Sequence, residues 1–427
     1  HAGSKVLVAA TDLARAVGRD ILAGVPSLAG LVVVGAADPG IFRTTVQYEA
    51  ALAAAEPLAG PPPVASAEAP AHLYYTSGTT GAPKGVILTH GNVAAHALGA
   101  AAELELTESD VWLHAAPLFH LADAWAVFAL TWVGGAHVFV PRFGPPLVLD
   151  LMQDCGVTCT NLVPTMWNLL VNEPSVAGRD FRALRLVLSG GAPIAPALIE
   201  KVVAVFGADY LQTYGLTETA PYITLSRPRP AHAALSADEQ LAIKATTGRE
   251  FLTASIRLVD DQGRDLPADG RSVGEIWVAG PTVFDHYWRN EAATAEAFQD
   301  GWFKTGDLAV RDAEGYLTIV DRKKDVIITG GENVYSTEVE NVLYGHPAVL
   351  ETAVIGVADE KWGETVTACV VLKPGRAASG EELIAFCRAK LAGFKTPKTI
   401  VFLDDLPKTG SGKLFKSGLK DFLTRRD

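Results

Sequence analysis

The sequence predicts an α/β large domain with doubly wound sheets and a small β unit, plus a smaller α+β C-terminal lid domain. Short apolar β-rich runs alternate with helical stretches over residues 110–225. Strands then crowd together around glycine turns over residues 251–316, and a new series of strands and helices opens near Asp325. With 427 residues, 49% apolar and only 20% charged, the chain has enough hydrophobic mass for two or three domains and does not read as disordered.

In chain order, residues 5–37 read as strand, helix, strand, with LVVVGAA as a fully buried parallel strand. The Pro-rich run EPLAGPPPVASAEAP, ending at Pro70, reads as a surface loop. Residues 73–75 and 86–89 form the two arms of a hairpin around a flexible loop, followed by an Ala-rich helix over 91–102. The runs 111–115, 137–140, 161–163 and 185–189 supply a parallel sheet. Ligands of such sheets collect at the C-terminal ends of the strands. PLFH, VPTMW, SGGAP and YGLTE each follow a β-rich run, so these segments should converge on one crevice. SIRLVDDQGRDL, GEIWVAG and EGYLTIVD suggest a small antiparallel unit. The last part begins with a strand at 326–328 and a helix after Thr337, and continues through strands at 349–357 and 365–372, a helix after Ser379 and a strand at 399–403. Thr337 with Glu340, and Ser379 with Glu382, have capping-box spacing. The expected division is 1–323 and 324–427.

Charge and cysteine usage exclude several classes. A net charge of -12, from 36 basic and 48 acidic residues, disfavours a nucleic-acid surface and requires local positive sites for any anionic ligand. Arg322, Lys323 and Lys324, and later Lys395, Lys398, Lys408, Lys413 and Lys416, are the candidates. Cys155, Cys159, Cys369 and Cys387 lack C-x-x-C spacing and His partners, so free thiols in a reducing cytoplasm are expected rather than a zinc site or disulfides. The longest uncharged stretch, 124–140, is too short for a membrane span and contains Gly134, Gly135 and His137, which makes it a buried helix, a turn and a strand. The start, HAGSKVLVAATDLARAV, has no signal-peptide core. No integral membrane segment is expected, and a homodimer is left open.

The most informative run is YYTSGTTGAPKGV, residues 74–86. Thr76, Ser77, Thr79 and Thr80 offer hydroxyls, Gly78, Gly81 and Gly85 let backbone amides approach anionic oxygens, and Lys84 adds a mobile positive charge. This is the build of a phosphate-cradling turn. It is not a G-x-x-x-x-G-K-[ST] loop, because the glycines are spaced differently, Lys84 is followed by Gly85, and a strand rather than a helix resumes behind it.

The run resembles the phosphate signature of the acyl-adenylate-forming superfamily, enzymes that activate carboxylates with ATP, such as acyl-CoA synthetases and peptide-synthetase adenylation domains. The resemblance covers almost the whole chain. PLFH at 117–120, SGGAP at 189–193, YGLTET at 214–219, TGDL at 305–308, DRKKDVIITGGENVY at 321–335 and PKTGSGK at 407–413 follow in the family's order. In that family a further portion of the large domain precedes a strand like the first one here, so the large domain is expected to be N-terminally incomplete.

Attack of a carboxylate on the α-phosphorus of ATP brings two anions together, so catalysis must supply positioning and positive charge. The resemblance implies that the Thr76 to Lys84 loop holds the β and γ phosphates, that Glu218 with Thr217 positions Mg²⁺, and that Lys413 bridges the carboxylate and α-phosphate. It further implies that Asp307, with Arg322, binds the ribose, and that Gly191, Ala192, Pro193 and Tyr214 enclose the adenine. Transfer of the acyl group to a thiol would follow a rotation of the lid at Lys324, which brings Gly330 and Gly331 to the pantetheine tunnel. His120 resembles the aromatic gate between the acyl and nucleotide sites. Trp125, Met166, Trp167 and Gly190 either border an apolar acyl cavity or pack in the core. The expected activity is ATP-dependent ligation of CoA to an apolar acid, a medium or longer fatty acid first and an aryl or arylpropenoic acid next. Loading of a carrier-protein phosphopantetheine, oxidation of the adenylate, or non-catalytic nucleotide binding are the alternatives.

Overall fold

The computed structural model describes residues 1–36, 40–76, 83–192, 194–408 and 414–424. Contacts divide the chain into two units, His1–Ser66 and Ala67–Asp427. In the first, strands Val6–Ala10, Gly30–Val34 and Thr45–Gln47 run parallel in that order. The expected strand, helix, strand is present, with helices Thr11–Val17 and Arg19–Ala23 in the crossover. Leu22, Leu31, Val33 and Phe42 lie in its core. The Thr45–Gln47 strand and the Tyr48–Ala54 helix went unanticipated, because so short a segment shows no periodicity.

The second unit opens with the antiparallel hairpin of strands Pro70–Thr76 and Lys84–Thr89, then helix His90–Glu103. Thr89 and Asn92 form a reciprocal capping box at the start of that helix. The central seven-stranded sheet has the order Arg249–Glu250, Tyr222–Leu225, Asp209–Gly215, Leu186–Ser189, Cys159–Leu162, Val111–His114, Ala136–Phe139. The last five in this order run parallel, as expected from their apolar runs. Both faces are covered. Leu113, Val187 and Tyr210 enter a core with Met152, Trp167 and Phe206. Their neighbours Trp112, Leu186 and Leu211 enter another core with Trp125, Leu130 and Phe251. Successive strand residues feeding two cores is the alternation of a sheet buried on both sides. Helices Pro145–Asp154, Pro164–Val171 and Pro196–Phe206 each begin with proline, whose missing N–H is harmless in the first turn.

Strands Ser255–Val259, Gly274–Ala279, Trp302–Arg311, Phe298–Gln299 and Leu317–Arg322 form the antiparallel unit. After the short turn Lys323–Asp325, a separate sheet is built from Ile327–Thr329, Glu332–Val334, Val349–Asp359, Gly363–Leu372 and Thr399–Phe402. Helices Ser336–Tyr344 and Gly380–Arg388 contribute Val339, Leu343, Leu383 and Cys387 to one core, and Lys416–Thr424 contributes Leu419 to another. The fold class is therefore a large α/β portion with a smaller α+β portion. Ser379 caps its helix by accepting from the Glu382 amide at 3.1 Å. The Thr337–Glu340 box is absent: the helix starts two residues earlier, with Tyr335 at the cap position, and buried Glu340 instead accepts from the Val354 amide at 2.7 Å and pairs with Lys416. Tertiary demand for that carboxylate overrides the local motif. Among the described residues no helix is long and apolar enough to cross a membrane, the four cysteines are free, and no His/Cys/Asp/Glu group could by itself hold a metal ion.

Candidate active site

Lys84, the first residue of its strand, lies opposite Thr76 at the mouth of the hairpin. The next residues bind the 284–288 segment: Gly85 O accepts from the Trp288 amide at 2.7 Å, and Val86 bridges Tyr287. Asn92, besides capping its helix, donates to Pro281 O at 2.8 Å and Val283 O at 3.0 Å. This anchoring sets Tyr287 beneath Lys84, with the ammonium 5.0 Å from the ring centre. The Tyr287 hydroxyl donates to Glu218 Oε1 at 3.0 Å. Glu218 sits in the one-turn helix Thr217–Thr219, whose backbone is also held by the Phe284 amide donating to Glu218 O at 2.8 Å.

Burial lifts the Glu218 carboxyl above its usual range; the Tyr287 hydroxyl and the Lys84 charge oppose that, and Asp307 adds to it. Asp307 accepts from the Tyr214 hydroxyl at 2.7 Å and lies 3.5 Å from the Arg322 guanidinium, its partner across the antiparallel ladder. The Tyr214 hydroxyl is pushed well above its ordinary pKa by burial and then by the Asp307 charge, so it stays a donor. Residues from the hairpin, the YGLTE segment, the TGDL strand and its partner strand thus meet in one charged cluster.

Beside it lies a crevice open to solvent, with about 450 Å³ of empty space. It is lined by His120, Leu121, Ala122, Asn161, Gly190, Gly191, Thr213, Gly215, Leu216, Thr217, Pro221 and Tyr222. Residues following two parallel strands, Asn161 within a third, and the YGLTE segment meet there, as expected for a doubly wound sheet. A Cβ on Gly190 would stand 2.3 Å from Thr213 Oγ1, and one on Gly215 1.7 Å from Pro221 O, so only glycine allows the chain to close around this space. Thr217 and His120 line it directly, and Ala192 O accepts from Gln212 at 3.3 Å at its edge.

Residues 1–288 match the family described as AMP-binding enzyme, and residues 338–413 match the AMP-binding enzyme C-terminal domain. The chain belongs to the AMP-binding enzymes. A feruloyl-CoA synthase from Amycolatopsis sp is 42% identical over 350 residues, 82% of this chain and 69% of that protein. A fatty acid–[acyl-carrier-protein] ligase from Streptomyces coeruleorubidus is 38% identical over 358 residues, 83% of this chain and 67% of its own. The solved O-succinylbenzoate coenzyme A synthetase of Bacillus subtilis, in complex with ATP and magnesium ion, superposes with a TM-score of 0.81 at 32% identity, covering 98% of this chain and 89% of that one. This AMP-binding enzyme is an AMP-forming ligase of the acyl-CoA synthetase kind.

The remaining expected residues of this AMP-binding enzyme divide into those outside the described residues and those placed away from the crevice. Ser77, Gly78, Thr79, Thr80, Gly81, Pro193 and Lys413 lie outside the described residues. Lys324 is exposed in the turn between the antiparallel and C-terminal sheets. Gly330 and Gly331, both in the left-handed region, make the tight turn between strands of the C-terminal sheet, where Gly330 donates to Trp362 O at 2.8 Å. Trp167 is a core residue whose indole donates to Leu188 O at 3.0 Å, and Met166 packs against the same core, so neither borders the crevice. Trp125 borders a small apolar cavity, also lined by His96 and Phe128, that shares the Leu121 wall. Most lysines proposed as anion sites are already paired: Lys323 with Asp261 and Glu275, Lys395 with Glu338, Lys408 with Glu351, and Lys416 with Glu340. Tyr287 and Asn161 escaped the sequence reading. Tyr287 stands in an ordinary aromatic run, DHYW, and Asn161 entered only as the first residue of the β-rich run 161–163.

Proposed function

We propose that the chain is an ATP-dependent acyl-CoA ligase that activates an apolar carboxylic acid, a medium or longer fatty acid or an aryl acid. The convergence of Lys84, Glu218 and Asp307 beside a crevice whose lining, among the described residues, includes no lysine or arginine supports this reading best. A carboxylate oxygen attacks the α-phosphorus, the bond to pyrophosphate breaks, and acyl-AMP remains. The thiol of CoA then attacks the acyl carbon, loses its proton, and AMP leaves.

In this reading the Thr76–Lys84 loop meets the β and γ phosphates, and Lys84, ending over an aromatic face, supplies positive charge. Asp307 accepts from the ribose hydroxyls with Arg322 alongside, while Tyr214 and the Gly191–Ala192 backbone flank the base. The buried Glu218 carboxylate fits Mg²⁺, which commonly takes one or two carboxylates together with substrate phosphates. Bound there by Glu218 and Thr217, the ion would neutralise phosphate charge. Lys413 serves the adenylation step. Residues 324–427 then turn as a lid about Lys324, and the Gly330–Gly331 turn admits pantetheine. His120 gates the acyl side. The reaction belongs in the cytoplasm, where ATP and CoA are available.

The test is incubation with ATP, Mg²⁺ and a panel of acids, scoring pyrophosphate and then acyl-CoA. Pyrophosphate release that depends on an apolar acid, followed by thioester, is expected. AMP binding without turnover for every acid would contradict the reading. Because the carrier-protein ligase relative is nearly as similar as the CoA ligase relative, adenylation without acyl-CoA would transfer the second step to a carrier phosphopantetheine.

A further inference from the structure

Two polar atoms in the crevice wall have no partner among the described residues: Asn161 Oδ1 and the Tyr222 hydroxyl. Both side chains belong to residues almost wholly buried, 2% and 3% exposed. Buried polar atoms without partners cost free energy and are uncommon, so two in one crevice require an explanation. The Asn161 amide cannot be turned to escape this. Its Nδ2 donates to Ala122 O, which can only accept, and reversal would set two oxygens against each other. Asn161 therefore offers the crevice an acceptor alone.

The same Ala122 carbonyl accepts from the Trp125 indole at 3.1 Å, and the Trp125 ring stands edge-on to Tyr222 with centroids 5.0 Å apart. Asn161 and Tyr222 thus flank one short stretch of wall. The Tyr222 hydroxyl lies near the Thr213 and Trp125 side chains without hydrogen-bond geometry to either, and burial keeps it protonated, able to donate or accept. The remaining wall is largely Leu, Pro, Ala and Gly.

We infer that Tyr222 and Asn161 form a polar recognition point for a hydroxyl on the acid, so that the preferred substrates are apolar carboxylic acids bearing a hydroxyl remote from the carboxylate. This rests on the ligase reading and narrows its substrate class. A hydroxyl can donate to Asn161 Oδ1 and accept from Tyr222, whereas a hydrogen in its place leaves both unpaired.

The experiment compares kcat/KM for pyrophosphate release with two matched pairs: 3-phenylpropenoic acid against its ring 4-hydroxy form, and octanoic acid against 8-hydroxyoctanoic acid. The expected result is a preference of about ten-fold or more for the hydroxylated member of at least one pair, falling close to parity in Tyr222→Phe. Tyr222→Phe should also melt no lower than the parent, since it removes an oxygen with no internal partner. Parity in both pairs, a preference unchanged in Tyr222→Phe, or a lower melting temperature for that variant overturns the inference while leaving the ligase reading intact. Failure of every acid to release pyrophosphate overturns the ligase reading and this inference with it.

Discussion

At the scale of single residues, charge is handled in opposite ways at the two ends of the parallel sheet. Ahead of the strands, buried Asp110 accepts from Arg185 Nε and Nη2 at 2.8 Å each, from Thr158 at 2.7 Å and from the Thr107 amide at 2.9 Å. Burial alone would raise this carboxyl, but these donors override it and hold it at about 2. Its folded pKa lies below the unfolded value of 3.8, so its stabilisation is full above about pH 4 and is lost as pH falls toward 2. Asp110→Asn should cost about 2 kcal/mol at neutral pH and flatten the acid limb of the stability curve, read by denaturant titration between pH 7 and 3. Beyond the strands, Glu218 is lifted by burial instead, so its folded form favours the proton and stability declines as pH rises above its ordinary value of 4.5. Glu218→Gln should therefore melt at the same or a higher temperature at neutral pH while adenylation falls roughly a hundred-fold or more. Calorimetry and pyrophosphate release on one preparation check both halves; a variant losing stability and keeping activity would remove Glu218 from the site.

At the scale of elements, the site depends on how closely backbone segments approach. The strand ending at Gly215 returns through the Thr217–Thr219 turn and left-handed Ala220 to Tyr222, and Leu216 donates to Pro221 O at 3.1 Å. A methyl at 215 would meet backbone oxygen, which cannot rotate away. Gly215→Ala should cost about 2 kcal/mol and abolish nucleotide binding by displacing Glu218, measured by denaturation and AMP titration. Legibility from sequence follows the same physics. The parallel strands, the hairpin and the antiparallel unit were readable because burial on both faces leaves unbroken apolar runs and turns leave glycine. The helix start at Ser336 was not, because a distant lysine claims Glu340. Signature residues such as Lys84, Glu218 and Asp307 were readable from motif order. Tyr287 was not, since its role comes from a strand bridge 201 positions away in sequence, Val86 to Tyr287. Trp167 was ambiguous because an aromatic in the helix that follows a strand suits a core as well as a pocket.

At the scale of the whole molecule, the two half-reactions place different demands on the segment joining the antiparallel and C-terminal sheets. Asp321 Oδ2, at the end of one sheet, accepts from the Ser336 hydroxyl at 2.8 Å and from its amide, at the start of the first helix packed on the other. Lys416 donates to the same hydroxyl at 2.6 Å. In the proposed two-step reaction, a rotation about Lys324 would have to release the Asp321 clasp. Lys324→Pro, with φ fixed near its own preferred value, should slow thioester formation from preformed acyl-adenylate by ten-fold or more and adenylation far less. Single-turnover assays of each step separate the two, and the reverse order would move the hinge elsewhere. The account as a whole rests on ATP phosphates and an organic acid sharing one cavity assembled from distant segments. Its most direct test is exchange of labelled pyrophosphate into ATP with and without an apolar carboxylic acid, in the parent and in Glu218→Gln. Exchange that requires the acid and is lost in Glu218→Gln is the predicted result; exchange indifferent to the acid, or undiminished in the variant, would contradict it.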